Sequence, residues 1–321
     1  MENKTEVNGN VILINKNAEG LALCVFVCER RKIFYKNRLC RKGKDKFRKS
    51  GYGMLSYGKI GKEQDMARKI VVTSGKGGVG KTTLAVWLGA QLAQKGQRVV
   101  VFDADFGMND VDLAAGVEQL AIYDIVDVIE GKCRAKQALV KHPQRGNLHI
   151  LTSARSAPER YVSPQAVKVV LDGLSPSFDF ILIDCPAGLG EEFHRAVAIA
   201  DEAIVVTMPT ASALRAADKA VSLLKSYHLV ELYLVVNRVR GDLLLEGQGI
   251  SPGEIAELLK LPLLGILPET DDIAFAALDT IHPSIRMIAA CLLSGKRKLF
   301  DVTKRYAGLW GNLRRIAKKH V

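Results

Sequence analysis

Two lysines five positions apart, Lys76 and Lys81, stand in the run SGKGGVGKTT at residues 74–83. Gly75, Gly80, Lys81 and Thr82 fit the spacing G-x-x-x-x-G-K-[ST], that of a loop built to hold phosphate. Glycines at 75, 77, 78 and 80 leave no Cβ between converging backbone N–H groups and phosphate oxygens. The run Gly75, Lys76, Gly77, Gly78, Val79, Gly80, Lys81, Thr82 and Thr83 is therefore the candidate phosphate cradle, with a helix N-terminus adding partial positive charge. Lys81 would neutralise the β and γ phosphates of a nucleotide, and the Thr82 hydroxyl is a ligand for Mg²⁺. Three carboxylates complete the set. Asp103 ends the apolar run RVVVFD, Asp105 follows two residues later, and Asp184 ends FILID. An acid at the end of a buried strand beside a phosphate loop serves the metal, so Asp103 and Asp184 join Thr82 as metal candidates. Asp105 is the candidate that orients the attacking water.

These residues need strands that end beside the loop. Lys69–Thr73, Arg98–Asp103 and Phe180–Asp184 are short apolar runs of the kind buried in parallel sheets. From Thr82, TTLAVWLGAQLAQK reads as a mostly apolar helix that Gly96 stops. Further strands are expected at Ala203–Val206, Leu232–Asn237 and Leu264–Leu267. Helical stretches alternate with them, one over Ala213–Tyr227 with Leu214, Ala217, Val221 and Leu224 on one face. The pattern predicts an α/β fold with a doubly wound, mostly parallel sheet and its site at the strands' carboxyl ends.

Charge separates this middle from both ends. The chain of 321 residues carries a net charge of +12, but residues 1–65 hold +8 and residues 296–321 another +8, leaving 66–295 at −4. A nucleic-acid face on the central domain is therefore not expected, and basic tails meeting an anionic surface are. Residues 302–319 put Val302, Tyr306, Leu309, Trp310, Leu313 and Ile316 on one helical stripe. Lys304, Arg305, Arg314, Arg315, Lys318 and Lys319 lie opposite. That describes a helix lying in a membrane interface, the alternative being a terminal helix docked on its own domain. No apolar run reaches the ~20 residues of a membrane span, and the six cysteines form no paired metal-binding pattern. The expectation is a cytoplasmic protein with reduced thiols, reversibly peripheral at the inner face of the cell membrane.

KGGVGKT, with its extra Lys76, is more specific than a plain phosphate loop. It resembles the deviant Walker A motif of the ParA/MinD family of ATPases, a SIMIBI-type group of P-loop NTPases. YDIVDVIEGKCRAKQALVK (123–141), FDFILIDCPAG (178–188), HRAVAIADEAIVVTMP (194–209) and LVVNRVRGD (234–242) extend the resemblance to the septum-site branch of that family. The resemblance implies an ATP-dependent homodimer in which Lys76 reaches the partner's phosphates, so Lys76, Lys81 and Asp105 are the catalytic candidates. It implies that Asn237 and Pro268 line the base pocket. MinC-like and MinE- or DivIVA-type partners are implied too, with ATP and Mg²⁺ as cofactors and no specific nucleic acid. Four positions depart from the family pattern: Asp110, Gly190, Thr210 and Ala216. They leave room for a nucleotide-gated membrane adaptor with little hydrolysis, or for a flagellar-number or chromosome-partitioning ATPase of the same family.

Three regions follow: a basic extension over 1–65, disordered or non-native; an ATPase domain over 66–295; and a membrane-targeting tail over 296–321. The extension invites a sharper reading. MARKIVVT begins at Met66 with a core strand within a few residues, and Lys62-Glu63, encodable as a ribosome-binding AAGGAG, lies two codons upstream. Translation from Met66 is the expectation. Mass spectrometry of the native protein should then find no peptide from residues 1–60, and finding one would overturn it.

Overall fold

The computed structural model describes residues 3–7, 10–16, 22–28 and 32–36, then 66–106, 110–154, 162–270, 273, 278 and 280–308. They belong to two compact units, residues 1–60 and 61–321. In the first, strands β1 (Asn3–Val7), β2 (Asn10–Lys16), β3 (Ala22–Cys28) and β4 (Lys32–Lys36) pair antiparallel in chain order. Val11 stands opposite Val27, and Phe26 opposite Phe34. The apolar runs VILI and LCVFV are rich in the β-branched and aromatic residues that suit strands, within a segment whose overall composition is basic.

The second unit opens with β5 (Arg68–Thr73), α1 (Lys81–Gln94), β6 (Val99–Asp103), α2 (Asp110–Ala115) and α3 (Ile125–Ile129). It continues through β7 (Val140–Lys141), β8 (Leu148–Leu151), α4 (Pro164–Leu174), β9 (Phe180–Asp184) and α5 (Glu191–Ala198). Then come β10 (Glu202–Thr207), α6 (Ala211–Leu224), β11 (Glu231–Val239) and α7 (Gly241–Leu245). It closes with α8 (Pro252–Leu259), β12 (Leu263–Pro268) and α9 (Pro283–Ser294). The strands lie in the order β12-β11-β10-β5-β9-β6-β8-β7. Every pair is parallel except β7–β8 at the edge, so the doubly wound, mostly parallel sheet expected from sequence is what forms.

Central strands read as unbroken Val/Ile runs because both their faces are covered. On one face Ile70, Val72 and Val101 pack against Leu84 and Leu88 of α1 and Ile285 and Ile288 of α9. On the other, Val71, Val100 and Phe102 meet Leu171 of α4, Phe193 of α5, Leu224 of α6 and Ile255 of α8. Helix α1 sits unusually close: a Cβ on Gly89 would lie 2.7 Å from Cγ2 of Val101. That approach fixes the height of α1, and hence of the loop before it, above the sheet.

The root of the tail corrects one expectation. Val302 is buried in the core beside α7, not on a membrane-facing stripe. Its carbonyl fits over Gly241, where a Cβ would lie 2.0 Å away. Phe300 meets the His282 ring edge-on at 5.2 Å. A bend at 302–303 precedes a 3-10 turn over Lys304–Tyr306, so no helix runs through Val302. Tyr306 is half-buried in that turn, while Leu309, Trp310, Leu313 and Ile316 lie outside the described residues. Among the described residues no helix is long and apolar enough to cross a membrane.

Placing a charge at the root should free it, because an unpaired carboxylate cannot stay in an apolar contact. Val302→Asp is expected to speed tryptic cleavage at Lys304 and Arg305 several-fold while leaving residues 66–294 folded. Unchanged cleavage would mean that the contact does not hold the root.

Candidate functional site

The loop between β5 and α1 takes its shape from four constraints. Gly78 (φ +73°) and Gly80 (φ +94°) occupy the left-handed region, which costs a glycine nothing. Gly75 lies flat against α6, where a Cβ would meet the Ala216 carbonyl oxygen at 2.0 Å. The Ser74 hydroxyl donates to the Lys76 carbonyl at 2.7 Å. From the far side, Asn237 Nδ2 donates to the Val79 carbonyl at 2.8 Å, and it would lie 2.5 Å from a Cβ on Gly80. Gly77 has ordinary clearance, 3.5 Å from the Ala187 methyl.

Helix α1 then begins at Lys81 with no acidic residue in its first turn and no side-chain cap on Gly80. Its N–H groups are thus left for an anion, and the helix dipole points the same way. Lys81 is buried, Thr82 and Thr83 half-buried. Lys76 is exposed, and its ammonium donates to the Ser212 hydroxyl at 3.0 Å, at the start of α6. Sequence reasoning missed Ser212, Ser74 and Ser153. Short hydroxyl residues at strand ends and helix starts are common turn formers, so nothing in their spacing marks these three out.

Beside the loop, parallel pairing of β6 with β9 places Asp103 in register with Asp184. Both are buried. Burial pushes the Asp184 carboxyl up to about 7; a hydrogen bond with the Thr82 side chain and the nearby Lys81 charge pull it down, while Asp105 and Asp110 push it further up. Burial and then the Asp184 charge push Asp103 up to about 8, against hydrogen bonds from two backbone amides. Those amides define what Asp103 does. Its Oδ1 accepts from Asp105 N at 2.9 Å and its Oδ2 from Val111 N at 3.1 Å, so it staples the loop between β6 and α2. Asp105 is half-buried, and its carbonyl accepts from the Ser153 hydroxyl at 2.7 Å.

Among the described residues, Asp184 Oδ1 is buried without a hydrogen-bond partner. An orphaned carboxylate oxygen on an acid bonded to Thr82 is what a small oxygen-loving cation would satisfy. No group of three His, Cys, Asp or Glu able to hold a metal occurs among the described residues. Mg²⁺ takes one or two protein oxygens and completes its shell with phosphate and water. Thr82 and Asp184 fit that role; Asp103, with both oxygens taken by amides, sits next to it.

Asn237 is buried, with Oδ1 accepting from Arg238 N at 2.8 Å. Its amide thus joins β11 to the phosphate loop, and Arg238 takes the left-handed conformation (φ +53°). A cleft of about 330 Å³ opens beyond, lined by Thr210, Arg238, Arg240, Leu244 and Glu269, the last next to Pro268 at the end of β12. The four departing positions are placed as follows. Asp110 opens α2, exposed. Gly190 precedes α5, whose first turn carries Glu191. Thr210 precedes α6 without capping it, and Ala216 lies under Gly75.

Both raised carboxyls hold their proton more tightly folded than unfolded. Between about pH 4 and pH 8 the folded state therefore binds more protons, and this contribution to stability falls as pH rises. Asp184→Asn is expected to raise the stability of the nucleotide-free protein at pH 8 by about 1–3 kcal/mol in urea titrations, with little change at pH 5. The same variant should lose the Mg²⁺-dependence of nucleotide binding.

A family model described as an AAA domain matches residues 67–232. The septum site-determining protein MinD of Synechocystis is 44% identical over 208 residues, covering 65% of this chain and 78% of that protein. The MinC:MinD cell division complex of Aquifex aeolicus matches with a TM-score of 0.65 and 33% identity, over 72% of this chain and 97% of that one. MinD from Pyrococcus horikoshii, solved with Mg-ADP, matches with a TM-score of 0.62 and 29% identity, over 71% and 97%.

Proposed function

Because this chain belongs to the MinD family of septum site-determining ATPases, we propose that it binds and hydrolyses ATP with Mg²⁺, as a dimer that cycles on and off the membrane to place the division septum. The observation that carries this reading is Lys76. It is exposed, and among the described residues its ammonium bonds to the neutral Ser212 hydroxyl alone. A single neutral partner holds it by about 1 kcal/mol, so the ammonium can leave α6 for the phosphates of a second subunit at small cost.

The chain's own residues divide the chemistry. Loop amides and the start of α1 bind the phosphates, Lys81 neutralises their β and γ oxygens, and Asp105 orients the attacking water. Thr82 and Asp184 would hold Mg²⁺, which when bound offsets charge developing on the transferred phosphoryl group. Asp103 keeps Asp105 in place through the amide staple. Asn237 positions the loop, and the cleft beside Pro268 and Glu269 is our assignment for the base. Residues 66–295 form the ATPase domain, and 296–321 the membrane-binding tail, whose working part starts after Tyr306. One such tail binds weakly; two joined by ATP bind with raised effective concentration, so the nucleotide state sets membrane residence. The Aquifex neighbour favours a MinC-like partner, and a MinE- or DivIVA-type regulator completes the proposal.

A nucleotide-gated adaptor with little hydrolysis is the second reading. Thr210 and Ala216 favour it, since they leave the α6 face around Lys76 without acidic groups at these two positions. ATPase assays with and without anionic liposomes separate the two. Liposome-stimulated turnover that Lys76→Ala lowers at least tenfold supports the first; ATP-dependent liposome binding without turnover supports the second. Deleting 307–321 should abolish liposome binding while sparing ATP binding, and undiminished liposome binding would refute the tail.

A further inference from the structure

On the α3–α4 side of the sheet, away from the phosphate loop, lies a groove of about 470 Å³. Its walls are Val128 from α3, Ala135 from the 3-10 turn at 135–137, and Val169, Val170 and Leu174 from α4. Val169 is 72% exposed, which is costly for a β-branched aliphatic side chain with nothing against it.

The charges around this groove do not cancel. Asp127 and Glu130 are both taken by Lys132, at 3.0 and 2.9 Å. Asp172 is taken by Lys69 and Lys168, at 2.5 and 3.3 Å. Arg134 and Lys136, exposed on the rim, are left in excess. Arg134 bonds the neutral Gln137 side chain, and neither cation has an acidic partner among the described residues. This happens on a domain whose residues 66–295 carry a net charge of −4, so the basic rim is a local exception.

We propose that this groove is a docking site for an acidic segment of a partner protein carrying aliphatic anchors, its leucine-like side chains on Val169 and Val170 and its carboxylates on Arg134 and Lys136. The volume accommodates two or three such side chains. Charge complementarity selects the class of ligand: a basic or neutral apolar segment would leave both cations uncompensated, and the chain's own basic tail would be repelled. The groove shares no residue with the nucleotide site, so a partner can occupy it in either nucleotide state. The inference does not depend on the assignment of ATP turnover.

The test uses the full chain and two labelled peptides, one with paired leucines flanked by aspartate and glutamate, the other with lysines in place of the acids. Fluorescence anisotropy should show saturable, salt-sensitive binding of the acidic peptide, with a Kd on the order of 10 μM or tighter, and none of the basic one. Arg134→Glu with Lys136→Glu, and separately Val169→Asp, should weaken it about tenfold while ATP affinity and thermal unfolding stay unchanged. If the charge reversal disturbs folding, Arg134→Gln with Lys136→Gln serves in its place. Absence of saturable binding, equal binding of both peptides, or binding indifferent to these substitutions would overturn the proposal. So would rim variants that lower binding to phosphatidylglycerol vesicles and leave the peptide untouched, since the rim would then face lipid.

Discussion

Two carboxylates side by side at the buried end of a parallel sheet repel each other and lack water to relieve the repulsion. The pairing of β6 with β9 forces Asp103 and Asp184 into this position, and much of the surrounding structure answers to it. Two backbone amides go to Asp103, while Thr82 and the charge of Lys81 go to Asp184. One oxygen of Asp184 still has no partner. The site is therefore a place where the fold gathers more carboxyl oxygens than it supplies donors for, and where burial makes the acids keep their protons until a cation takes the protons' place. That is the electrostatic condition for drawing in a cation together with its phosphates.

The loop facing these acids is held from both sides. α6 presses on it at Gly75 through the Ala216 carbonyl, and β11 ties it at Val79 through the Asn237 amide. Between the two, Gly78 and Gly80 turn through left-handed geometry. None of these contacts uses a charged group, so phosphate meets a cradle whose shape is set before it arrives and whose charges remain available. Arg238 in the left-handed region is the strained counterpart on the β11 side, the position from which Asn237 can both hold the loop and cap its own strand.

Much of this was legible in the sequence. Strands covered on both faces appear as continuous Val and Ile runs, and the phosphate loop has a spacing that chance seldom supplies, so β5, β6, β9 and the site's acids could be placed by reading alone. β7 and β8 could not. They are two and four residues long, and His149 interrupts the apolar pattern. Ser212 and Ser153 bond to groups distant in sequence, Lys76 and the Asp105 carbonyl, which no local pattern encodes. Val302 misled for a related reason: its side chain continues the 3.6-residue stripe of Tyr306 and Leu309, yet its carbonyl lies against Gly241 and the side chain is buried in the core. Periodicity names an apolar face without naming what covers it. The docking groove was hidden too, because its excess charge emerges only once Lys132, Lys168 and Lys69 have found their acids.

Because Val302 is seated over Gly241, the C-terminal segment departs from a fixed post and not from a swivel. The residues from 307 to 321 number fifteen, a length that reaches at most about 50 Å when extended and about 22 Å when helical. Any surface that this segment touches must lie within that radius of α7. The missing Cβ of Gly241 thus fixes the place on the domain, beside α7, from which that segment sets out.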